Sequence, residues 1–77
     1  MVATPDEIKA METFFQSRTL NKTFKLNDAI TITNLPKFIE QVLEGVKTGQ
    51  MTDAAARPRW DDLQIIKKLM LEDEKKS

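Results

Sequence analysis

The hydrophobic positions of this chain follow three different spacings. From Leu35 to Gly49 (LPKFIEQVLEGVKTG) the residues Leu35, Phe38, Ile39, Val42, Leu43 and Val46 recur three and four apart, which predicts an α-helix with one apolar side. They share an arc of roughly 140°, and Lys37, Glu40, Gln41, Glu44 and Lys47 fill the opposite side. Asn34 suits the cap, Pro36 the first turn, and Gly49 the left-handed residue that follows a last turn. Upstream, Thr4-Pro5-Asp6-Glu7 reads as a helix start, with Thr4 as cap and Glu7 closing a capping box. Ile8, Met11 and Phe15 line one face of that helix, with Phe14 beside it, and it is expected to run to about Ser17.

Between these helices the period drops to two. Phe24 and Leu26 alternate with polar residues, and so do Ile30 and Ile32, which predicts two short strands. Residues directly opposite must point to the same face, and that condition fixes the register. A two-residue turn at Asn27-Asp28 mixes the faces. A three-residue loop, Asn27-Asp28-Ala29, sets Leu26 against Ile30 and Phe24 against Ile32, although no glycine is present for a left-handed turn position. An isolated hairpin is marginal in water, so its Phe24–Leu26–Ile30–Ile32 face is expected to lie on the helices.

The third spacing is wider than one face. After an unpatterned connection from Gln50 to Arg57, in which Thr52 or Asp53 has room to cap a short turn of alanines, a last helix is expected from Pro58 to about Glu72. The polar tail 73–77 and the residues 1–3 are expected to fray. Leu63, Ile66 and Met70 form one stripe of the last helix, and Ile65 and Leu69 form a second, with Trp60 and Leu71 on another side. A chain of 77 residues has few elements to cover all of these. Either the hairpin and first helix cover them, or a second subunit or another protein does. Gly45, inside the central helix, costs about 1 kcal/mol relative to alanine and reads as drift or a close approach by another element, with a ligand contact as the alternative.

Composition narrows the chemistry. The chain has no cysteine and no histidine, so thiolate sites, disulfides and the commonest general base are excluded. Twelve basic and twelve acidic residues cancel, which removes any electrostatic argument for nucleic acid or an anionic membrane. No apolar run approaches the roughly 20 residues of a membrane helix, the N-terminus has no signal-peptide pattern, and a cytoplasmic location is expected. Asp61 and Asp62 are adjacent in a helix and diverge, so they fit a first turn better than a metal site. Glu40 and Glu44 read as solvated surface. No nucleophile-and-base pair, phosphate loop or ligand spacing occurs, so no catalytic residue, metal or cofactor is expected and the chain is not read as an enzyme. Arg57-Pro58-Arg59-Trp60-Asp61-Asp62 is the densest polar cluster. It reads first as helix capping and a solvated surface, and second, through Arg57, Arg59 and Trp60, as a stacking and phosphate-clamping contact for a ligand or nucleic acid. A helix-turn-helix is disfavoured, because about eight residues separate Gly49 from Pro58 where the motif has three or four.

The run from Leu26 through Ile32, then Leu35-Pro36-Lys37-Phe38-Ile39-Glu40, then Arg57-Pro58 ahead of Asp62-Leu63, resembles a small domain family of unknown function from Bacteroidetes-type gut bacteria. The resemblance covers roughly Leu26 to Leu71 and leaves the first helix outside. It implies a bacterial source and a self-contained domain, and it transfers no functional residue. The expected fold is therefore a single α+β domain over residues 1–77, ordered helix, β-hairpin, helix, helix, with an all-α three-helix bundle as alternative. Its expected core is Ile8, Met11, Phe15, Leu26, Ile32, Leu35, Phe38, Ile39, Val42, Leu43, Val46, Leu63, Ile66 and Met70. The expected function is a non-enzymatic protein-interaction module or homodimer that uses the last helix, through Arg57, Arg59, Trp60, Ile65 and Leu69. The alternative is a nucleic-acid accessory protein that uses Arg57, Arg59 and Trp60.

Overall fold

A computed structural model describes residues 2–76. In chain order these form α1 (Pro5–Gln16), β1 (Phe24–Lys25), β2 (Thr31–Ile32), α2 (Leu35–Thr48) and α3 (Asp53–Lys76). This is the α+β arrangement the alternating periods predict, with helices dominating. α2 packs against both α1 and α3, and the two strands form one antiparallel hairpin.

α1 begins as its sequence dictates. The Thr4 hydroxyl accepts from the Glu7 amide at 3.2 Å, and the Glu7 carboxylate accepts from the Thr4 amide at 3.0 Å. Ala3, just before the cap, and Ile8, at the fourth helical position, are both buried, as in a hydrophobic staple. Residue 3 therefore belongs to the core and not to a frayed end; Met1 lies outside the described residues. Ile8, Met11 and Phe15 carry the buried face, and Phe14 meets Phe15 edge to face with ring centroids 5.1 Å apart.

The hairpin register is the one the face argument selects, Phe24 opposite Ile32 and Lys25 opposite Thr31. Its loop needs no glycine, because the Asn27 side chain closes it: Oδ1 accepts from the amides of Ala29 at 2.8 Å and Ile30 at 2.9 Å. Among the described residues no non-glycine residue takes a positive φ. An Asx-type closure replaces the left-handed residue. One expectation fails here. Leu26 is buried and Phe24 and Ile32 pack on the core, but Ile30 is 46% exposed. The ladder is only two pairs long, and residues 27–30 stand in water beyond the helices.

α2 buries Leu35, Ile39, Val42, Leu43 and Val46, with Phe38 half-buried. Asn34 caps it, its Oδ1 accepting from the Lys37 amide at 3.4 Å, and the Leu35 amide donates to the Lys22 carbonyl at 2.8 Å. That bond ties the start of α2 to the approach of the hairpin. Gly49 ends the helix at φ +77°. Gly45 is buried beneath Met51, whose Cγ would lie 2.7 Å from an added β-carbon. This is the close approach that an interior glycine signals.

α3 departs most from the sequence reading. It starts at Asp53, five residues before Pro58, and takes in the whole alanine run. The Thr52 hydroxyl accepts from the Ala55 amide at 3.2 Å, and Ala56 donates to the Thr52 carbonyl at 2.8 Å. Alanine is the strongest helix former, so the expected short turn runs on into the expected helix. Pro58 is then in the second turn, where its ring denies a partner to the Ala54 carbonyl. Ala54 is exposed, so water can satisfy that group. At its other end α3 passes through the segment expected to fray and reaches Lys76. A bidentate pair holds that end, with Arg18 Nε 2.6 Å from Glu74 Oε1 and Nη2 3.2 Å from Oε2. Ala56, Trp60, Leu63 and Ile66 form its buried side. The core thus gains Ala3, Ala56 and Trp60, while Ile32, Phe38 and Met70 are only half-buried at its edge.

Candidate interaction surface

The five side chains singled out on the last helix separate into two groups once α3 is in place. Trp60 lies roughly 140° round the helix from Ile65, on the side of Leu63 and Ile66, and is only 4% exposed. An indole there supports the core and presents no stacking face. The sequence-based pairing of Trp60 with Arg57 and Arg59 as a nucleic-acid surface loses its aromatic member. Arg57 and Arg59 are both exposed, and Arg59 sits 3.8 Å from the Asp62 carboxylate one turn on. Solvent-exposed pairs at that spacing contribute only a few tenths of a kcal/mol, about 0.3–0.5.

Ile65 is the second group's centre. It is 45% exposed near the middle of a helix that runs about 36 Å at 1.5 Å per residue, as long as the molecule's largest dimension. Leu69, about 40° round from it, is half-buried and packs against the core edge. Pro58, about two turns before Ile65, completes a narrow apolar strip on this outer side. Arg57, Asp61, Lys68 and Glu72 line one flank of the strip, all exposed. Among the described residues, none of these four forms an ion pair within the chain. Residue-type reasoning picks Ile65, Leu69 and, of this flank, Arg57, and misses Asp61, Lys68 and Glu72. Their signal is present as alternating charge at four-residue steps, which reads as ordinary solvation until the helix start moves back to Asp53.

Elsewhere the polar groups serve the fold. Arg18 lies 3.8 Å above the Phe14 ring and Lys67 lies 5.3 Å from its centroid, so both cations cover an aromatic. The hydrogen bond with Glu74 raises the Arg18 pKa, and the same bond holds the Glu74 carboxyl below its ordinary value. Glu7 is lowered as well, first by the Thr4 amide and then by the Thr4 hydroxyl. Between α1 and α2 an open groove of about 560 Å³ has Phe15, Ile39 and Leu43 on its floor and Glu40 and Glu44 at its edge. Among the described residues no three acidic, histidine or cysteine side chains converge as a metal site would require.

A family profile described as Domain of unknown function (DUF6965) matches residues 6–72, from the first turn of α1 into the last turns of α3. The chain belongs to that family. The DUF6965 match takes in α1 from its second residue, a helix that the sequence resemblance left outside, along with the hairpin, all of α2 and most of α3. No curated protein and no solved structure matches the chain. No described helix is long and apolar enough to cross a membrane.

Proposed function

We propose that this DUF6965 domain is a small non-enzymatic module that works by binding another protein chain through the outer side of α3. The observation that carries this reading is Ile65, a large apolar side chain 45% exposed at the middle of the longest helix, with half-buried Leu69 beside it and exposed charges along one flank. Burying an isoleucine of this kind contributes on the order of 1 kcal/mol or more, and a polar rim supplies selectivity. A cytoplasmic location belongs to the same reading, supported by a fold that closes its core without a disulfide. A Bacteroidetes-type bacterial source belongs to the same reading and rests on the sequence resemblance alone.

The test compares wild type with Ile65→Lys, by sedimentation and chemical cross-linking of the purified chain alone and in extract of the source cell. Ile65 faces water, so the variant should keep the wild-type circular dichroism and melting midpoint while losing any assembly the wild type forms. Identical assembly by the two chains would sink the reading.

A further inference from the structure

The charges flanking Ile65 form an antisymmetric series. Along α3 the exposed residues Asp53, Arg57 and Asp61 carry the signs minus, plus, minus, and Lys68, Glu72 and Lys76 carry plus, minus, plus. Each charge has an opposite charge at the same distance on the other side of a midpoint between Gln64 and Ile65. Asp61 mirrors Lys68 and Arg57 mirrors Glu72; Asp53 and Lys76 mirror each other in sequence but lie about 140° apart round the helix, off the flank these four share. At 100° per residue, Arg57, Asp61, Lys68 and Glu72 also fall on the same flank of the Ile65 strip, within an arc of roughly 60°. Lys75, at the outer end of that arc, has Ala54 at its mirror position and no charged counterpart.

Two antiparallel helices related by a two-fold axis place the same flank of each against the other, with residues equidistant from the axis facing one another. A second copy of α3 therefore sets Asp61 against the partner's Lys68 and Arg57 against the partner's Glu72, each contact occurring twice. Ile65 of each copy lies at the axis, with Leu69 and Pro58 extending the apolar seam. A parallel pair sets this flank against the opposite one, where Asp62 and Asp73 provide no matching series. We infer that the chain the outer side of α3 binds is a second copy of this protein, docked antiparallel about Ile65. This rests on the reading of α3 as an interaction surface and names its occupant. The four flanking side chains, exposed and without an ion pair inside one chain among the described residues, are the ones the second copy neutralises.

Analytical ultracentrifugation across a wide concentration range reads the outcome. Wild type should pass from the 8.8 kDa monomer to twice that mass. Asp61→Lys alone, and Lys68→Asp alone, put like charges together at two symmetric contacts and should each weaken the dimer about tenfold. The double variant Asp61→Lys/Lys68→Asp should restore it, and an equimolar mixture of the two single variants should form a heterodimer. Ile65→Lys should leave a monomer. A wild type that stays monomeric, or a dimer indifferent to charge reversal, overturns the antiparallel pairing. The broader reading fails separately. A monomeric wild type whose cross-linking to a different protein is lost in Ile65→Lys defeats only the self-pairing. A wild-type dimer untouched by Ile65→Lys defeats both.

Discussion

At the residue scale, the two glycines illustrate two different reasons for lacking a side chain. Gly49 takes φ +77° with nothing within 4 Å of the position a β-carbon would occupy. Only backbone conformation opposes substitution there, so Gly49→Ala should cost about 1–2 kcal/mol in urea denaturation with an unchanged slope. Gly45 is an ordinary helical residue covered by Met51. Alanine at 45 should gain about 1 kcal/mol of helix propensity and lose a comparable amount by displacing Met51 at its Cγ, leaving little net change. Shortening the covering side chain separates the two effects. In a Met51→Ala background, Gly45→Ala should be stabilising by about 1 kcal/mol, so a double-mutant cycle should show coupling of that order. Additive energies would mean that Met51 does not press on Gly45.

At the scale of elements, α3 holds the largest stored cost, because Pro58 sits in its second turn. Proline inside a helix is about 3 kcal/mol less favourable than alanine, and less near an N-terminus where the broken bond is exposed. Pro58→Ala should raise stability by about 1–3 kcal/mol and increase helical circular dichroism, a gain absent if the helix began at residue 58. The same residue shows what could be read in advance and what could not. The capping box, the α2 stripe and the hairpin register each follow from local chemistry, and all three are present. The start of α3 was misread because Pro58 is a common first-turn residue and the three alanines carry no hydrophobic period. Only their propensity and the Thr52 cap extend the helix backwards. Trp60 was misassigned for a related reason. Its neighbours in sequence are charged, whereas its neighbours in space are set by Ala56, Leu63 and Ile66 on the same buried side. Of the proposed surface, Ile65 is legible as a surplus apolar residue and Arg57 as a candidate, but putting Arg57 on one helical flank with Asp61, Lys68 and Glu72 requires the helix to start at Asp53.

At the scale of the whole molecule, the far end of α3 is tied to Arg18, two residues past the end of α1, by a bidentate contact with Glu74 across 56 residues of sequence. That contact lies in the half of α3 that carries Lys68 and Glu72. It also makes stability depend on acid. Glu74 and Glu7 both titrate below their ordinary 4.5 in the folded chain, Glu74 through its hydrogen bond from Arg18 and Glu7 through the Thr4 amide. In the unfolded chain both return to ordinary values, so near and below pH 4.5 the unfolded state binds more protons. Their stabilisation is complete well above 4.5 and is lost as pH falls through the lower folded values. The denaturation midpoint should therefore drop on acidification. Glu74→Gln should lower the midpoint at neutral pH and flatten part of that drop. Glu7→Gln retains a capping partner for the Thr4 amide and should flatten a smaller part at less cost in stability. A Glu74→Gln chain with the full wild-type acid dependence would place the proton uptake elsewhere.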